Sequence, residues 1–474
     1  MTAALVASSL AAEPPALLPA RWQMTVSLGS HIVLAAFGVA FPAVIWVLHR
    51  RGLRDGDPVA LGLAHRWSKV AAVLFAVGAV SGTILSFEMG LLWPQFMRAY
   101  GDVIGLPFAL EGVAFFVEAI FIGIYLYGWG RLPDRLHLAT LVPIALAGVV
   151  GTFCILSVNA WMNGPTGFRV VAGRVVDVDP WAAMLNPRVW LQFAHMWLAT
   201  FMVVGFATAA VYAAGLLKGR DDRHHRLGFA VPFAFATVAA LAQPLVGHLL
   251  GARLHAEQPS KLAAMELAVE TESRAPLVVG GVLVDGERRF GIEIPGLGSF
   301  ISRGGVDRPV TGLEDLPADA RPGDGLATMV HWSFQLMVAI GFALAGLGVA
   351  FWWARRRGRD WLSRRWFLRA AVAAGPAAIA ALELGWITTE VGRQPWIAYG
   401  HMRIEEAVTE RGGVWVSLGV LVVVYTAMTA GAALVLRSMA QRWRHGETLD
   451  LPTPYGPSSE TGRGRSAVAG GPGR

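Results

Sequence analysis

Residues 190–217, WLQFAHMWLATFMVVGFATAAVYAAGLL, contain no Asp, Glu, Lys or Arg. The run lies between Arg188 and Lys218, and it is longer than the roughly 20 apolar residues that an α-helix needs to cross the hydrocarbon core of a bilayer. It therefore predicts a membrane-spanning helix, and its histidine, His195, is a polar exception inside that helix.

Eight further apolar runs of similar length surround it, and no internal repeat is evident. They cover residues 26–49, 68–92, 107–129, 137–158, 229–249, 329–353, 366–388 and 413–436. The sequence thus predicts an all-α integral membrane protein with about nine transmembrane helices. We divide it into an N-terminal tail (1–21), helices 1–6 (22–249), an outer loop (250–328), helices 7–9 (329–436) and a disordered tail (437–474).

The composition supports a membrane protein over a soluble one. Of the 474 residues 54% are apolar and 15% are charged, whereas soluble proteins carry about 25% charged residues. The net charge of +7 does not predict a nucleic-acid partner, because the basic residues lie in short bursts between the apolar runs. The single cysteine, Cys154, excludes disulfides, CxxC pairs and the motif for covalent haem.

The distribution of Lys and Arg predicts the orientation. Twenty-four of the 40 basic residues lie in the odd-numbered short loops and the C-terminal tail, and the segment 355–369 is the richest. By the positive-inside rule that side faces the cytoplasm. We expect the N-terminus and the long loop 250–328 outside, and the C-terminus in the cytoplasm.

Four potential metal ligands lie on four predicted helices in the outer part of the membrane. They are His31, His195, Met337 and Glu390. A His–Met pair is a common axial pair for a b-type haem, and a single His or carboxylate can hold a five-coordinate iron. Each residue alone also has a plainer interpretation, because membrane histidines often join helices by hydrogen bonds and methionines often fill the core.

Acidic residues form two further features. Glu111 and Glu118 are seven residues apart, so both lie on one helix face and could pass protons in steps, the interpretation that we favour. The alternative is a pair of structural acids bonded to neighbouring helices. In ELGWITTEVGRQPW, residues 383–396, Arg393 follows Glu390 closely. An arginine there keeps a carboxylate ionised and could pair with a haem propionate, although a plain salt bridge would look the same.

Several motifs together resemble subunit I of the cytochrome bd-type quinol oxidases, over nearly the whole chain from Arg21 to about Arg437. The most specific is GRQPW at 392–396. The others are RWQ at 21–23 followed by His31, EGVAFF at 111–116, NAWM at 159–162, NPRVWLQFAH at 186–195 and KLAAMEL at 261–267.

The resemblance implies haem ligands and site residues. His195 and Met337 match the axial ligands of haem b558, and His31 and Glu390 match those of haem b595 and haem d (or a third haem b in its place), without deciding which takes which. Trp386 matches an aromatic between haems, and Arg393 a partner of the ligand carboxylate. Glu111 and Glu118 match carboxylates that lead protons to the oxygen-reducing haem. Lys261 and Glu266 match quinol-site positions, although from spacing alone they would be an ordinary surface pair.

The resemblance also implies partners and a location. We expect a subunit II, a small single-helix subunit in some assemblies, ubiquinol or menaquinol, O₂ and membrane lipid, in a bacterial cytoplasmic (inner) membrane. Electrons would cross little of the membrane, and protons for water would come from the cytoplasm without pumping. The short loop resembles one branch of the family and leaves cyanide insensitivity open.

Two departures from the family pattern and two alternatives remain. Gln335 stands where an arginine usually precedes the methionine ligand, and the spacing of Glu111 and Glu118 is one residue shorter than usual. One alternative is a haem-binding quinol dehydrogenase-like protein that passes electrons elsewhere. The other is an ion transporter with buried acids, which the absence of an inverted repeat disfavours.

Overall fold

The computed structural model describes residues 13–358, 362–447 and 449. Within these residues, nine helices are long and apolar enough to cross a membrane, which confirms the predicted all-α membrane fold. We label the long helices α1 to α9 and identify short ones by their bounds. The long helices are α1 Leu17–Asp55, α2 Pro58–Leu92, α3 Pro94–Tyr127, α4 Leu141–Asn163, α5 Val189–Leu217, α6 Arg223–Glu257, α7 Asp324–Arg357, α8 Arg365–Val391 and α9 Val414–Arg444.

The helix ends on one side of the bundle contain a capping aspartate and many arginines. Asp57 caps α2 by accepting hydrogen bonds from the backbone N–H groups of Val59 and Ala60, and Pro58 occupies the first turn, where its missing N–H does no harm. The same carboxylate pairs with Arg223 at the start of α6. We call this side, which also carries Arg355 and its neighbours, the arginine side.

The opposite side, which we call the loop side, carries the connections with most of the short elements. The short helices there are Pro180–Met184, Pro259–Glu266, Leu297–Arg303 and Ile404–Ala407, with 3₁₀ turns at Leu313–Asp315 and Ala318–Ala320. The strands are β1 Arg169–Val171, β2 Arg174–Val176, β3 Leu277–Val279, β4 Val282–Val284, β5 Glu287–Arg289, β6 Ile292–Ile294, β7 Trp396–Ala398 and β8 Met402–Arg403. They form four two-stranded antiparallel pairs: β1–β2, β3–β6, β4–β5 and β7–β8.

A cluster of phenylalanine rings joins four of the long helices. The ring of Phe233 on α6 lies 5.3 Å from that of Phe206 on α5 and 5.0 Å from that of Phe351 on α7. Phe367 on α8 completes the cluster at 5.8 Å. All four side chains are fully buried. Because buried aromatic pairs add specific contacts to area burial, this cluster fixes α5 to α8 as one packed unit.

The helix ends differ from the predicted spans. α1 begins at Leu17, inside the predicted N-terminal tail 1–21, and α9 continues to Arg444, so the predicted tail from 437 begins within it. The predicted spans are bounded by the ends of the apolar runs, whereas helical hydrogen bonding continues past the hydrocarbon into polar residues. The fourth span is also divided, since the short helix Asp134–Ala139 precedes α4. The tail residues 1–12, 448 and 450–474 lie outside the described residues.

Candidate functional site

His31 on α1 is oriented by a serine of α2. The Ser81 hydroxyl donates to the Gly78 carbonyl at 2.9 Å, so its oxygen accepts the hydrogen bond from His31 Nδ1, also at 2.9 Å. This arrangement places the proton on Nδ1 and leaves the lone pair of Nε2 available for a metal. A Cβ built at Gly82 would lie 2.9 Å from His31 Cε1, so the glycine provides the space for the imidazole.

Met337 on α7 faces a glycine of α8. A Cβ at Gly385 would lie 3.1 Å from the Met337 sulfur. Gly385 immediately precedes Trp386, which packs against the main hydrophobic core. The structure therefore places Met337 against α8, one residue before the predicted aromatic residue in the sequence of that helix.

His195 on α5 lies against α6. A Cβ at Gly247 would be 3.4 Å from His195 Cε1, and Gln243 of α6 donates to the His195 backbone carbonyl at 3.1 Å. The buried Nδ1 atom of His195 makes no hydrogen bond. A buried imidazole nitrogen without a partner is unusual, and a ligand role for this histidine would account for it.

Glu390, at the loop-side end of α8, is held by two donors. Asn159 Nδ2 donates to Oε1 at 2.5 Å, and Arg393 donates to Oε2 at 2.7 Å. Arg393 is 4% exposed, and its Nε and Nη1 atoms make no hydrogen bond. A buried guanidinium with unused donors calls for an additional acceptor, and a haem propionate, which carries carboxylate oxygens, would satisfy it.

These observations fit haem at the predicted ligands. Each candidate stands on its own helix, and a porphyrin requires only one or two protein ligands because it supplies the other donors itself. Three of the four candidate ligands face a glycine, while the fourth, Glu390, adjoins a buried arginine with free donors. Among the described residues, no three His, Cys, Asp or Glu side chains form a group that could hold a bare metal ion.

Lys261 and Glu266 lie in the short helix Pro259–Glu266, which is buried from Ser260 onward. Lys261 Nζ donates to Asn163 Oδ1 at 2.6 Å, and its stem passes Gly392, where a Cβ would lie 2.9 Å from Lys261 Cγ. The side chains are 4% and 6% exposed and form no ion pair with each other. The expectation from spacing of an ordinary surface pair is therefore wrong, because the loop folds over this helix.

Burial moves the pKa values of Lys261 and Glu266 towards 7. Desolvation, with Arg393 nearby, lowers the pKa of Lys261 to about 7, and desolvation raises the pKa of Glu266 to about 7. Both groups therefore change protonation in the physiological range, as groups that exchange protons with a substrate need to.

Three side chains of α7 hold the backbone of the loop. His331 contacts the carbonyl oxygens of Met265 at 2.7 Å and Gly280 at 2.9 Å, and Trp332 donates to the Gly281 carbonyl at 2.8 Å. Gln335 accepts from the Gly280 N–H at 2.8 Å and donates to the Val278 carbonyl. Gln335 thus fastens the loop to α7, a role that its position in the sequence did not indicate.

Glu111 and Glu118 lie on α3 and are not hydrogen-bonded to each other. Glu118 is buried, and a Cβ at Gly38 of α1 would lie 3.2 Å from its Oε1 atom, which has no hydrogen-bond partner. Glu111 is only half-buried and lies near Gly151 of α4. Glu118 also lines a small cavity enclosed by residues of α1, α2, α3 and α4.

The sequence did not single out the residues that support the site. Ser81, Asn159 and Asn163 connect or orient the candidate ligands, yet each is an ordinary polar residue in or near an apolar run. Asn163 accepts from Lys261, and its Nδ2 donates to the Asn159 carbonyl at 2.8 Å. A hydrogen-bonded chain therefore runs from Lys261 through two asparagines four residues apart to Glu390. Only that four-residue spacing, which puts both asparagines on one helix face, could have signalled it.

Comparison with known proteins identifies relatives of this chain. Residues 19–443 match the family profile of cytochrome bd terminal oxidase subunit I. A candidate cytochrome bd menaquinol oxidase subunit I of Bacillus subtilis (strain 168) is 34% identical over 92% of this chain and 99% of its own. The cytochrome bd ubiquinol oxidase subunit 1 of the same organism is 29% identical over 94% of this chain and 98% of its own.

A solved structure shares the fold. The bd oxidase from Geobacillus thermodenitrificans superposes with a TM-score of 0.85 at 37% identity and covers 91% of this chain and 99% of its own. These matches confirm the resemblance drawn from the GRQPW and associated motifs. The chain therefore belongs to the cytochrome bd terminal oxidase subunit I family.

Proposed function

We propose that this subunit of a terminal quinol oxidase oxidises quinol at the loop side and reduces O₂ to water at haems held by the four ligands described above. Membership of the family implies haem cofactors and quinol oxidase activity. The observation that carries the finer assignment is the placement of the ligands, with His31, Met337 and His195 each against a glycine of the next helix.

The proposed assignment gives each haem its protein ligands. His195 and Met337 would hold haem b558, while His31 and Glu390 would hold haem b595 and haem d, or a third haem b in the place of haem d. When bound, haem iron supplies electron transfer and O₂ chemistry. Asn159 and Arg393 orient the Glu390 carboxylate by hydrogen bonds, and Trp386 would be the aromatic residue between haems.

At the loop side, Lys261 and Glu266 would bind quinol and accept its protons. Oxidation of one quinol to quinone releases two protons and two electrons. A neutral Lys261 amine and an ionised Glu266 carboxylate can each take one of the protons. Both groups are buried, so water competes little for the quinol hydroxyls. The two relatives are named for menaquinol and ubiquinol, so both quinols are substrates to test.

The protons for water would come from the arginine side through Glu118 and Glu111. The charge distribution supports placing that side, with the C-terminus, in the cytoplasm and the loop side outside. Proton uptake on the arginine side and proton release on the loop side separate charge across the membrane without proton pumping.

The proposed setting is a bacterial inner membrane with a subunit II, and with a small single-helix subunit in some assemblies. The most apolar windows of α2, α3 and α9 are only 11%, 17% and 11% buried within the chain. Their outer faces remain for a membrane partner or lipid.

The proposal is tested by a reduced-minus-oxidised spectrum of the purified protein with pyridine haemochrome analysis. We expect three haems per chain, one of them low-spin. Absence of haem would overturn the oxidase proposal. A single haem would favour the quinol dehydrogenase-like alternative, which the family match does not favour.

Quinol oxidation is expected to accelerate as the pH rises through about 7 and to level off once both groups are deprotonated above it. Burial raises the pKa of Glu266 to about 7 and lowers that of Lys261 to about 7. Below that pH both groups are protonated and neither accepts a proton; above it both can. The measurement is haem reduction by quinol without O₂, which separates this step from proton uptake on the other side.

Glu266→Gln should slow this reduction and weaken the pH dependence around 7. The matched control is Glu287→Gln in β5, because Glu287 is 76% exposed and, among the described residues, its ion pair is with Arg289, at 3.6 Å. An unaltered pH profile in Glu266→Gln would remove Glu266 from the quinol site.

A further inference from the structure

A histidine–tyrosine cluster lies at the arginine-side ends of α1 and α3. His49 Nδ1 is 3.0 Å from the Tyr125 hydroxyl, and the His49 ring centre is 5.1 Å from that of His137. The three side chains are 1%, 2% and 3% exposed. Such a buried cluster of titratable groups has no role in the site described above.

The outer end of this cluster belongs to a short helix that begins at the surface. His137 belongs to the short helix Asp134–Ala139, whose first residue, Asp134, is an exposed carboxylate on the arginine side. His137 Nε2 donates to the Tyr125 carbonyl at 2.8 Å, since a carbonyl oxygen can only accept. In the neutral ring, His137 Nδ1 is therefore an acceptor.

The inner end of the cluster reaches Glu118. A cavity of about 30 Å³ is lined by both Tyr125 and Glu118, together with Gly38, Ser68 and Leu141. A space of this size holds about two water molecules. Glu118 Oε1 has no hydrogen-bond partner and is buried, so it is available to water in this cavity.

The register of α3 aligns the polar groups. Glu111, Glu118 and Tyr125 follow one another at seven-residue intervals, which keeps them on one helix face and separates neighbours by about 10 Å along the axis. That distance exceeds a direct hydrogen bond but is within reach of a short water chain. The row therefore leads from the arginine side towards the membrane interior.

We propose that His49 and Tyr125 form the entrance of the proton path to Glu118. This inference rests on the proposed function, in which Glu118 receives protons for O₂ reduction. His49, protonated from the arginine side, gives the Nδ1 proton to the Tyr125 oxygen. The Tyr125 hydroxyl gives its own proton to water in the cavity, which protonates the Glu118 carboxylate. One proton enters, one reaches Glu118, no electron moves, and Tyr125 keeps its hydroxyl.

The test compares proton uptake in single-residue variants of the haem-loaded complex. The fully reduced enzyme is mixed with O₂ in the presence of a pH-indicator dye, and haem content and low-spin spectrum are recorded in parallel. Tyr125→Phe and His49→Gln are expected to slow uptake at least about tenfold, with unchanged spectra. If His49→Gln loses haem, Tyr125→Phe decides, because it removes a single oxygen atom.

A second tyrosine–histidine pair on the same side provides the control. Tyr212 lies beside His224, with ring centres 5.6 Å apart, and its hydroxyl accepts from Trp67 at 2.7 Å, but it does not line the cavity. Tyr212→Phe should leave uptake unchanged. An equal slowing in Tyr212→Phe would contradict the proposal.

Glu118→Gln separates failure of the relay from failure of the proposed function. If uptake is normal in Tyr125→Phe and His49→Gln but slow in Glu118→Gln, protons enter elsewhere and the relay is overturned. If proton uptake is also normal in Glu118→Gln, Glu118 does not carry protons for O₂ reduction, and the proposed relay is overturned as well.

Discussion

Replacing His31 with alanine is expected to abolish O₂ reduction. Ser81 fixes the proton on His31 Nδ1, and Gly82 leaves room for the ring, so the imidazole presents Nε2 as a ligand. Alanine supplies no donor atom at this position. Mutating even the hydrogen-bond partner of a metal ligand costs about 10–100-fold in activity, so loss of the ligand itself is expected to cost more. Turnover is measured as O₂ consumption with quinol, and the low-spin spectrum should persist because His195 and Met337 lie on other helices.

A milder variant distinguishes ligation from packing. Ser81→Ala keeps the imidazole but removes the acceptor of its Nδ1 proton, so it should lower O₂ turnover less than His31→Ala and alter the high-spin spectrum. Thr83→Ala is the matched control, since Thr83 is an exposed hydroxyl of α2 that bonds only its own helix, at Ala79. Retained turnover in His31→Ala would count against the ligand role.

Met337→Leu is expected to convert the low-spin haem signal to high-spin while the remaining haem signals persist. Leucine has nearly the volume of methionine, so the helices can keep their packing, but it has no sulfur to bind iron. Quinol-driven haem reduction should slow in the same variant. The reduced-minus-oxidised spectrum, with haem content from pyridine haemochrome, measures both the loss of the ligand and the integrity of the protein.

Met329→Leu provides the control for this exchange. Met329 lies on the same helix and is 49% exposed, so its replacement should leave every haem signal unchanged. If Met337→Leu has the spectrum of the unaltered protein, Met337 is not a ligand and the His195 partner must be sought elsewhere.

The lengths of the apolar runs were enough to predict the nine helices, and the polar residues inside those runs were enough to select the candidate ligands. A helix that spans a bilayer satisfies its own backbone, so local sequence determines it. Burial of Lys261 and Glu266 could not be predicted, because it depends on contacts from His331 and its neighbours, which lie more than 60 residues away. The proposed role of Tyr125 could not be predicted from the sequence either, because a tyrosine near the end of a membrane helix is usually an interfacial anchor.

The glycines that face the candidate ligands limit which substitutions the protein can accept. A methyl group at Gly82 would lie 2.9 Å from His31, closer than side-chain carbons approach in proteins, whereas the corresponding distances are 3.1 Å at Gly385 and 3.4 Å at Gly247. Gly82→Ala should therefore displace its histidine, Gly385→Ala should force a small shift of Met337, and Gly247→Ala should fit without rearrangement. Inactivating mutations are therefore expected at these glycines as well as at the candidate ligands. The shorter the distance from the added methyl group to the candidate ligand, the larger the expected loss of activity.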